Sequence, residues 1–141
     1  MKITICGSSA FRKEKVEIKE QLIALGHEPL IDEWTEKIAR GEAPELLAQI
    51  NKEHSVVKKQ YNLIKLYYDF ISASDAIIVC NYEKKWIVDY IGSNTFLEMW
   101  YAHVLGKKIF LLHDIPDQPY ILEEVKAMDP IILHGDLSII K

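Results

Sequence analysis

The chain has 141 residues, 49% hydrophobic and 27% charged, with 17 Lys+Arg against 21 Asp+Glu for a formal charge of -4. That length suits one domain, residues 1–141, able to bury roughly two-thirds of its unfolded surface around a single core. A mildly acidic chain with no basic run lacks the electrostatic footprint of a phosphate-backbone binder, which argues against polymeric nucleic acid as a partner.

No window approaches the roughly 20 apolar residues of a membrane span, and the apolar stretch after Met1 is too short for a secretory signal. The expectation is a cytoplasmic protein with no membrane partner. Cys6 and Cys80 each sit inside an apolar β-like run without a CxxC pattern, and read as buried thiols acting as small hydrophobes. The histidines are scattered, with no HxH or HExxH spacing, so neither a metal nor a cofactor is expected.

In chain order, Lys2 to Cys6 is a short strand stopped by Gly7-Ser8-Ser9. Residues 11–25 carry apolar side chains at helical spacing, closed by Gly26. Glu28 to Ile31 is a second strand, weakened by Pro29, and 32–41 is polar and ambiguous. From Pro44 to Ser72 the pattern is helical but too long for one ordinary globular helix, so a break is expected. Asp75 to Cys80 is the clearest buried strand. A loop leads to a helix over Asn94 to Leu105, closed by Gly106. Lys107 to Leu112 is a fourth strand, 117–128 a short helix, and Pro130 to Leu133 a last strand.

Strands alternating with helices, the central ones apolar on both faces, predict an α/β fold: a Rossmann-like (flavodoxin-like) three-layer sandwich with a parallel sheet of about five strands. Ligands of such folds sit beyond the carboxyl ends of the strands, which directs attention to residues 7–12, 81–98 and 113–120. A single sheet offers one crevice and no lid domain, so its closure is expected from loop 81–93 or from a neighbouring subunit.

After the first strand, Gly7-Ser8-Ser9-Ala10-Phe11-Arg12 places small residues before a helix start, where free N–H groups suit a phosphate or sugar hydroxyls. It is neither GxGxxG nor a P-loop, which disfavours a dinucleotide site. After the third strand, Gly92-Ser93-Asn94 forms a turn that Asn94 or Thr95 can cap, and Glu98 follows about one turn into a helix of mostly apolar residues. A carboxylate in that setting is better explained by chemistry than by solubility. Asp69 lies among aromatics in Tyr67-Tyr68-Asp69-Phe70, while Asp75 reads as a structural turn residue. Glu98 with Asp69 would supply the two groups that glycosyl transfer needs, one at the oxocarbenium-like centre and one at the leaving group.

Three stretches in order carry a family resemblance. They are Cys6-Gly7-Ser8 with Phe11; Asp69-Phe70-Ile71-x-x-x-Asp75 leading into a strand; and Gly92-x-Asn94-Thr95-x-x-Glu98-Met99-x-x-Ala102 followed by Gly106-Lys107-Lys108. Together they resemble the nucleoside 2-deoxyribosyltransferase family, including its relatives that hydrolyse deoxynucleoside 5'-monophosphates at the N-glycosidic bond.

The resemblance implies that Glu98 is the catalytic nucleophile, taking the sugar as a covalent ester, and that Asp69 assists at the base or sugar. It implies that Gly7 and Ser8 line the nucleoside pocket with Phe11 beside the base. Gly92, Ser93 and Asn94 would form the turn that donates to the sugar or a 5'-phosphate. It also implies a homodimer or higher homo-oligomer whose subunits complete each pocket. The helix 94–105, apolar nearly all round, independently suggests such an interface.

Two alternatives stand beside it. The Gly92-x-x-Thr95-x-x-Glu98 spacing also resembles the PGGxGTxxE motif of cytokinin-activating phosphoribohydrolases, though no Pro-Gly-Gly is present. A non-catalytic nucleotide-binding or sensor domain would keep the Gly7-Ser8 loop and use Glu98 only as a helix-start charge.

Overall fold

The computed structural model describes residues 1–141 and sets five parallel strands side by side in the order β2-β1-β3-β4-β5. They are β1 (Lys2–Cys6), β2 (Glu28–Leu30), β3 (Ala76–Val79), β4 (Lys108–Leu111) and β5 (Ile131–Ile132). This is the expected flavodoxin-like order, with registers such as Ile5↔Ile78 and Ile78↔Phe110 in the centre. The helices are α1 (Arg12–Ala24), α2 (Glu33–Ala39), α3 (Pro44–Lys52), α4 (His54–Gln60), α5 (Leu63–Ala73), α6 (Ser93–Val104) and α7 (Leu122–Ala127). No helix is long and apolar enough to cross a membrane.

The alternation of side chains along the strands divides the core into two layers. Ile3, Ile5 and Ile78 face α1, packing on Ile18 and Leu22. Cys6, Ile77 and Val79 face the other way, onto Tyr67 and Ile71 of α5 and Met99 and Ala102 of α6. All four β3 residues are buried, because helices cover both faces of a parallel sheet. Pro29 is tolerated because β2 lies at the sheet edge, where a missing N–H breaks no inner ladder.

The expected break in the long helical stretch occurs twice. Glu53 is extended (φ -156, ψ 102) between α3 and α4, and Asn62 takes a left-handed conformation (φ 50) before α5. The ambiguous stretch after β2 is α2, capped by Asp32, whose side chain accepts from the Thr35 N–H at 2.8 Å.

Helices α2 to α4 form a small core of their own, Leu46, Ile50 and Val57 with Trp34, Ile38 and Tyr61 packed against it. This corrects the expectation that only loop 81–93 or another subunit could close the crevice. The inserted helices bury enough apolar surface to stand as a third wall.

Loop 81–92 is itself ordered. Lys84 and Ile87 bridge as a two-residue hairpin whose tip, Lys85 and Trp86, has positive φ (49 and 67), as such tight turns require. Gln118 holds its far end, accepting from the Ile91 N–H at 2.7 Å and donating to the Ile91 carbonyl at 2.9 Å.

Candidate active site

The strand order turns outward between β1 and β3, and a cavity of about 240 Å³ opens beyond that point. Its floor comes from Gly7 and Ser8 after β1 and from Gly92 to Thr95 at the start of α6, with Glu98 one turn on. Its walls come from Asp32 and Trp34 after β2, Ile50 and Val57 of α3 and α4, Tyr67 of α5, and Lys84 and Tyr90 of loop 81–92.

Gly7 is required where it stands. Its φ is +148, and a Cβ there would lie 2.9 Å from the Cys80 carbonyl oxygen. The loop therefore passes flat against β3, and Ser8 caps the next turn by accepting from the Ala10 N–H at 3.2 Å. Lys84 reaches back from the hairpin and donates to Ser8 Oγ at 3.0 Å, tying the two loops together.

Glu98 is half-buried in this cavity. Asn94 Nδ2 donates to its Oε1 at 2.9 Å. Burial pushes the carboxyl up to about 7, against the opposing pull of the Cys6 thiol, the Lys15 and Lys58 charges and Asn94. Burial, then the charge of Glu98, holds the Cys6 thiol well above its ordinary range. Cys6 is therefore a neutral thiol rather than a nucleophile.

Asp32 is fully engaged. It is buried at 4% exposure and accepts from the Thr35 N–H, from Thr35 Oγ1 at 2.7 Å and from the Tyr67 hydroxyl at 2.7 Å. Burial, then the Asp32 and Glu98 charges, raises the Tyr67 phenol well above its ordinary range, so it remains a hydroxyl.

The cavity gathers cations from a chain that is acidic overall. Arg12, Lys15, Lys58 and Lys84 all line it. The ion pairs of the molecule involve other basic residues: Lys19, Lys37, Lys65, Lys126 and His134. The four cavity cations are thus left without a carboxylate partner.

Of the residues singled out from sequence, Gly7, Ser8, Gly92, Ser93, Asn94 and Glu98 line one cavity. The cap of α6 differs in detail: Gly92 takes the N-cap position, and Asn94 turns its amide to Glu98 instead. Asp69 does not join them. It lies exposed on α5 and pairs with Lys65 at 2.7 Å, because two residues beyond Tyr67 is about 200° around the helix, away from the inward face. Phe11 is buried at 5% exposure against Tyr82, with ring centroids 5.4 Å apart, and is core rather than cavity wall.

Sequence reasoning passed over Asp32, although a signal was present. Asp-x-x-Thr directly after a strand is a helix-cap pattern, and here the strand is β1's neighbour with its carboxyl end at the crevice. Lys15, Lys58 and Lys84 had no such signal, since each reads as an ordinary solvated lysine.

No family model matches the chain, and no curated protein does. Among solved structures it is similar to the Clostridium botulinum CMP N-glycosidase BcmB, at 16% identity and a TM-score of 0.45, over 94% of this chain and 85% of that chain.

Proposed function

We propose that this protein cleaves or exchanges the N-glycosidic bond of a nucleoside 5'-monophosphate, with Glu98 as nucleophile. The observation that carries the reading is the Glu98 carboxyl, half-buried at the mouth of the sheet and poised at about 7. At neutral pH a large share of the molecules hold a carboxylate there, poorly solvated and hence reactive.

The Glu98 oxygen forms a bond to the anomeric carbon as the carbon–nitrogen bond breaks. The electron pair leaves on the base nitrogen, which takes up a proton from solvent; the water or second base that later displaces the ester returns one to solvent. Water (hydrolysis) or a second base (transfer) then displaces the glycosyl ester and restores the carboxylate. Asn94 orients the attacking carboxylate. Asp32, occupied by three donors, acts through Tyr67 as a fixed part of the wall.

The preference for a phosphate over a free 5'-hydroxyl rests on Arg12, Lys58 and Lys84. These side chains enter the cavity from three elements, and none of them forms an ion pair within 4.0 Å of a carboxylate oxygen. The free N–H groups at the start of α6 add to the same field.

The functional unit in this reading is a homo-oligomer. Leu97, Trp100 and Val104 are 60%, 54% and 59% exposed on α6. Leu97 and Trp100 line an apolar recess between α5 and α6 of about 330 Å³, which shares Asn94 and Glu98 with the cavity. A second copy seated there would stand beside the reacting carboxylate.

The test is to incubate the protein with the four common nucleoside 5'-monophosphates, their deoxy forms and the matching nucleosides, and to measure free base by chromatography. Base release from a monophosphate is expected, with kcat/KM at least about tenfold lower for the nucleoside and loss of turnover in Glu98→Gln. Nucleotide binding without any base release would replace this reading with that of a binding module.

A further inference from the structure

Lys15 is a buried ammonium group without a carboxylate partner. α1 turns Lys15, Ile18 and Leu22 inward together, and Lys15 is 4% exposed. An apolar side chain would satisfy that helix face, whereas a charge taken out of water without a counter-ion is costly. The Lys15 Nζ donates to the Gly7 carbonyl at 3.2 Å, and no carboxylate oxygen lies within 4.0 Å of it. Gly7 in turn is packed against the Cys80 backbone, so the ammonium group is anchored to a part of the floor that has no room to shift.

The ionisable groups that act on Glu98 come from four neighbouring elements, and Arg12, His54 and Lys84 also line the cavity it faces. β1 presents Cys6, α1 presents Lys15, α4 presents Lys58 and α5 presents Tyr67, with Asp32 behind the Tyr67 hydroxyl. Beneath α6, β3 and β4 bring only apolar side chains, Ile77, Val79, Ile109 and Leu111. Cys6 and Tyr67 are neutral, and Lys58 is half-exposed on the cavity rim. Lys15 alone is a positive charge shielded from water in this set.

We propose that Lys15 is a positioning residue for Glu98: fixed to Gly7 in the floor of the cavity that both residues line, its ammonium group favours the carboxylate form of the Glu98 side chain. Among the charges that act on Glu98 it stands first in pulling the carboxyl back toward its ordinary range. The catalytic consequence rests on the reading of Glu98 as nucleophile; the charge relationship itself does not.

The experiment follows the Glu98 carboxyl carbon by NMR in protein labelled with carbon-13 glutamate, assigned by its loss in Glu98→Gln. The ionisation midpoint is expected near 7 in the unaltered protein. It should rise by about one pH unit in Lys15→Met and stay within a few tenths in Lys15→Arg. The acid limb of the base-release rate should move with it, the rate recovering at alkaline pH, which loss of a mere packing contact would not produce. An unmoved midpoint in folded Lys15→Met overturns the proposal. If Lys15→Met does not fold, Lys15→Gln, which can still donate a hydrogen bond, is judged by the same criterion. A shifted midpoint in a protein that releases no base supports the role of Lys15 and defeats the proposed reaction, so the two failures are distinct.

Discussion

Asn94 donates its side-chain amide to Glu98 across one turn of α6, at 2.9 Å. The two residues are four apart on one helix, so the donor and the carboxylate move as one rigid piece and face the same cavity. A donor carried on another element would let the carboxylate rotate whenever that element shifted.

Removing that donor should therefore cost orientation more than stability. Asn94→Ala is expected to lower kcat by about ten- to a hundredfold with KM changed much less. The acid limb of the rate profile, expected near pH 7 in the unaltered protein, should move to higher pH, because Asn94 helps hold Glu98 ionised. Steady-state rates between pH 5 and 9 check both.

Glu98 should also be a stability liability that grows with pH. Its carboxyl is raised from 4.5 to about 7 in the folded chain, so the folded state binds the proton more tightly than the unfolded one. The resulting stabilisation is complete below about pH 4.5 and is lost as pH rises through 7. At 1.36 kcal/mol per unit the loss is about 3 kcal/mol. Glu98→Gln, which cannot ionise, should unfold at higher urea than the unaltered protein at pH 8.5 and at nearly the same urea at pH 4.5. Equal differences at both pH values would contradict the raised carboxyl.

The Asp32, Thr35 and Tyr67 group should behave as one unit. Tyr67→Phe removes one of the donors to a buried carboxylate and is expected to cost about 1–2 kcal/mol. Asp32→Ala also removes the cap of α2 and should cost more. Because both variants break the same contact, Tyr67→Phe made in an Asp32→Ala background should cost clearly less than alone. Urea unfolding of the two single variants and the double variant gives the three numbers.

The exposed apolar stripe on α6 gives a prediction about assembly. Leu97→Glu and Trp100→Glu alter exposed residues, so neither should unfold the subunit. Each should convert an oligomer to monomer in light scattering and lower base release in parallel. A monomeric unaltered protein at micromolar concentration would remove the oligomer from the proposal.

The α/β architecture was legible because its signals are local. Ala76–Val79 is a continuous apolar run, and Arg12–Ala24 places Ile18 and Leu22 at helical spacing and is followed by Gly26 at φ +84, so strand and helix can each be read from a short window. The parallel order then follows from right-handed crossovers between buried strands. Glu98 was legible for the same reason, as a carboxylate in an apolar stretch just after the turn at the crevice. The phase of α5 was harder to read: aromatics surround Asp69 on all sides in sequence, yet only Tyr67 and Ile71 point inward.

The sequence by itself determined the layered sheet, the edge of it where a ligand would sit, and the carboxylate Glu98 at that edge. Periodicity and turn chemistry act over a few residues and need no partner to be read. Only the tertiary structure decided that Asp32 rather than Asp69 shares the cavity with Glu98, that α2 to α4 build its third wall, and that Arg12, Lys15, Lys58 and Lys84 meet there unpaired. Those facts depend on which faces of separate helices converge, and the convergence is set by long-range packing of the layers: the Asp32 cap pattern marks a helix start but not the cavity it faces, and a single lysine in a polar stretch gives no local clue.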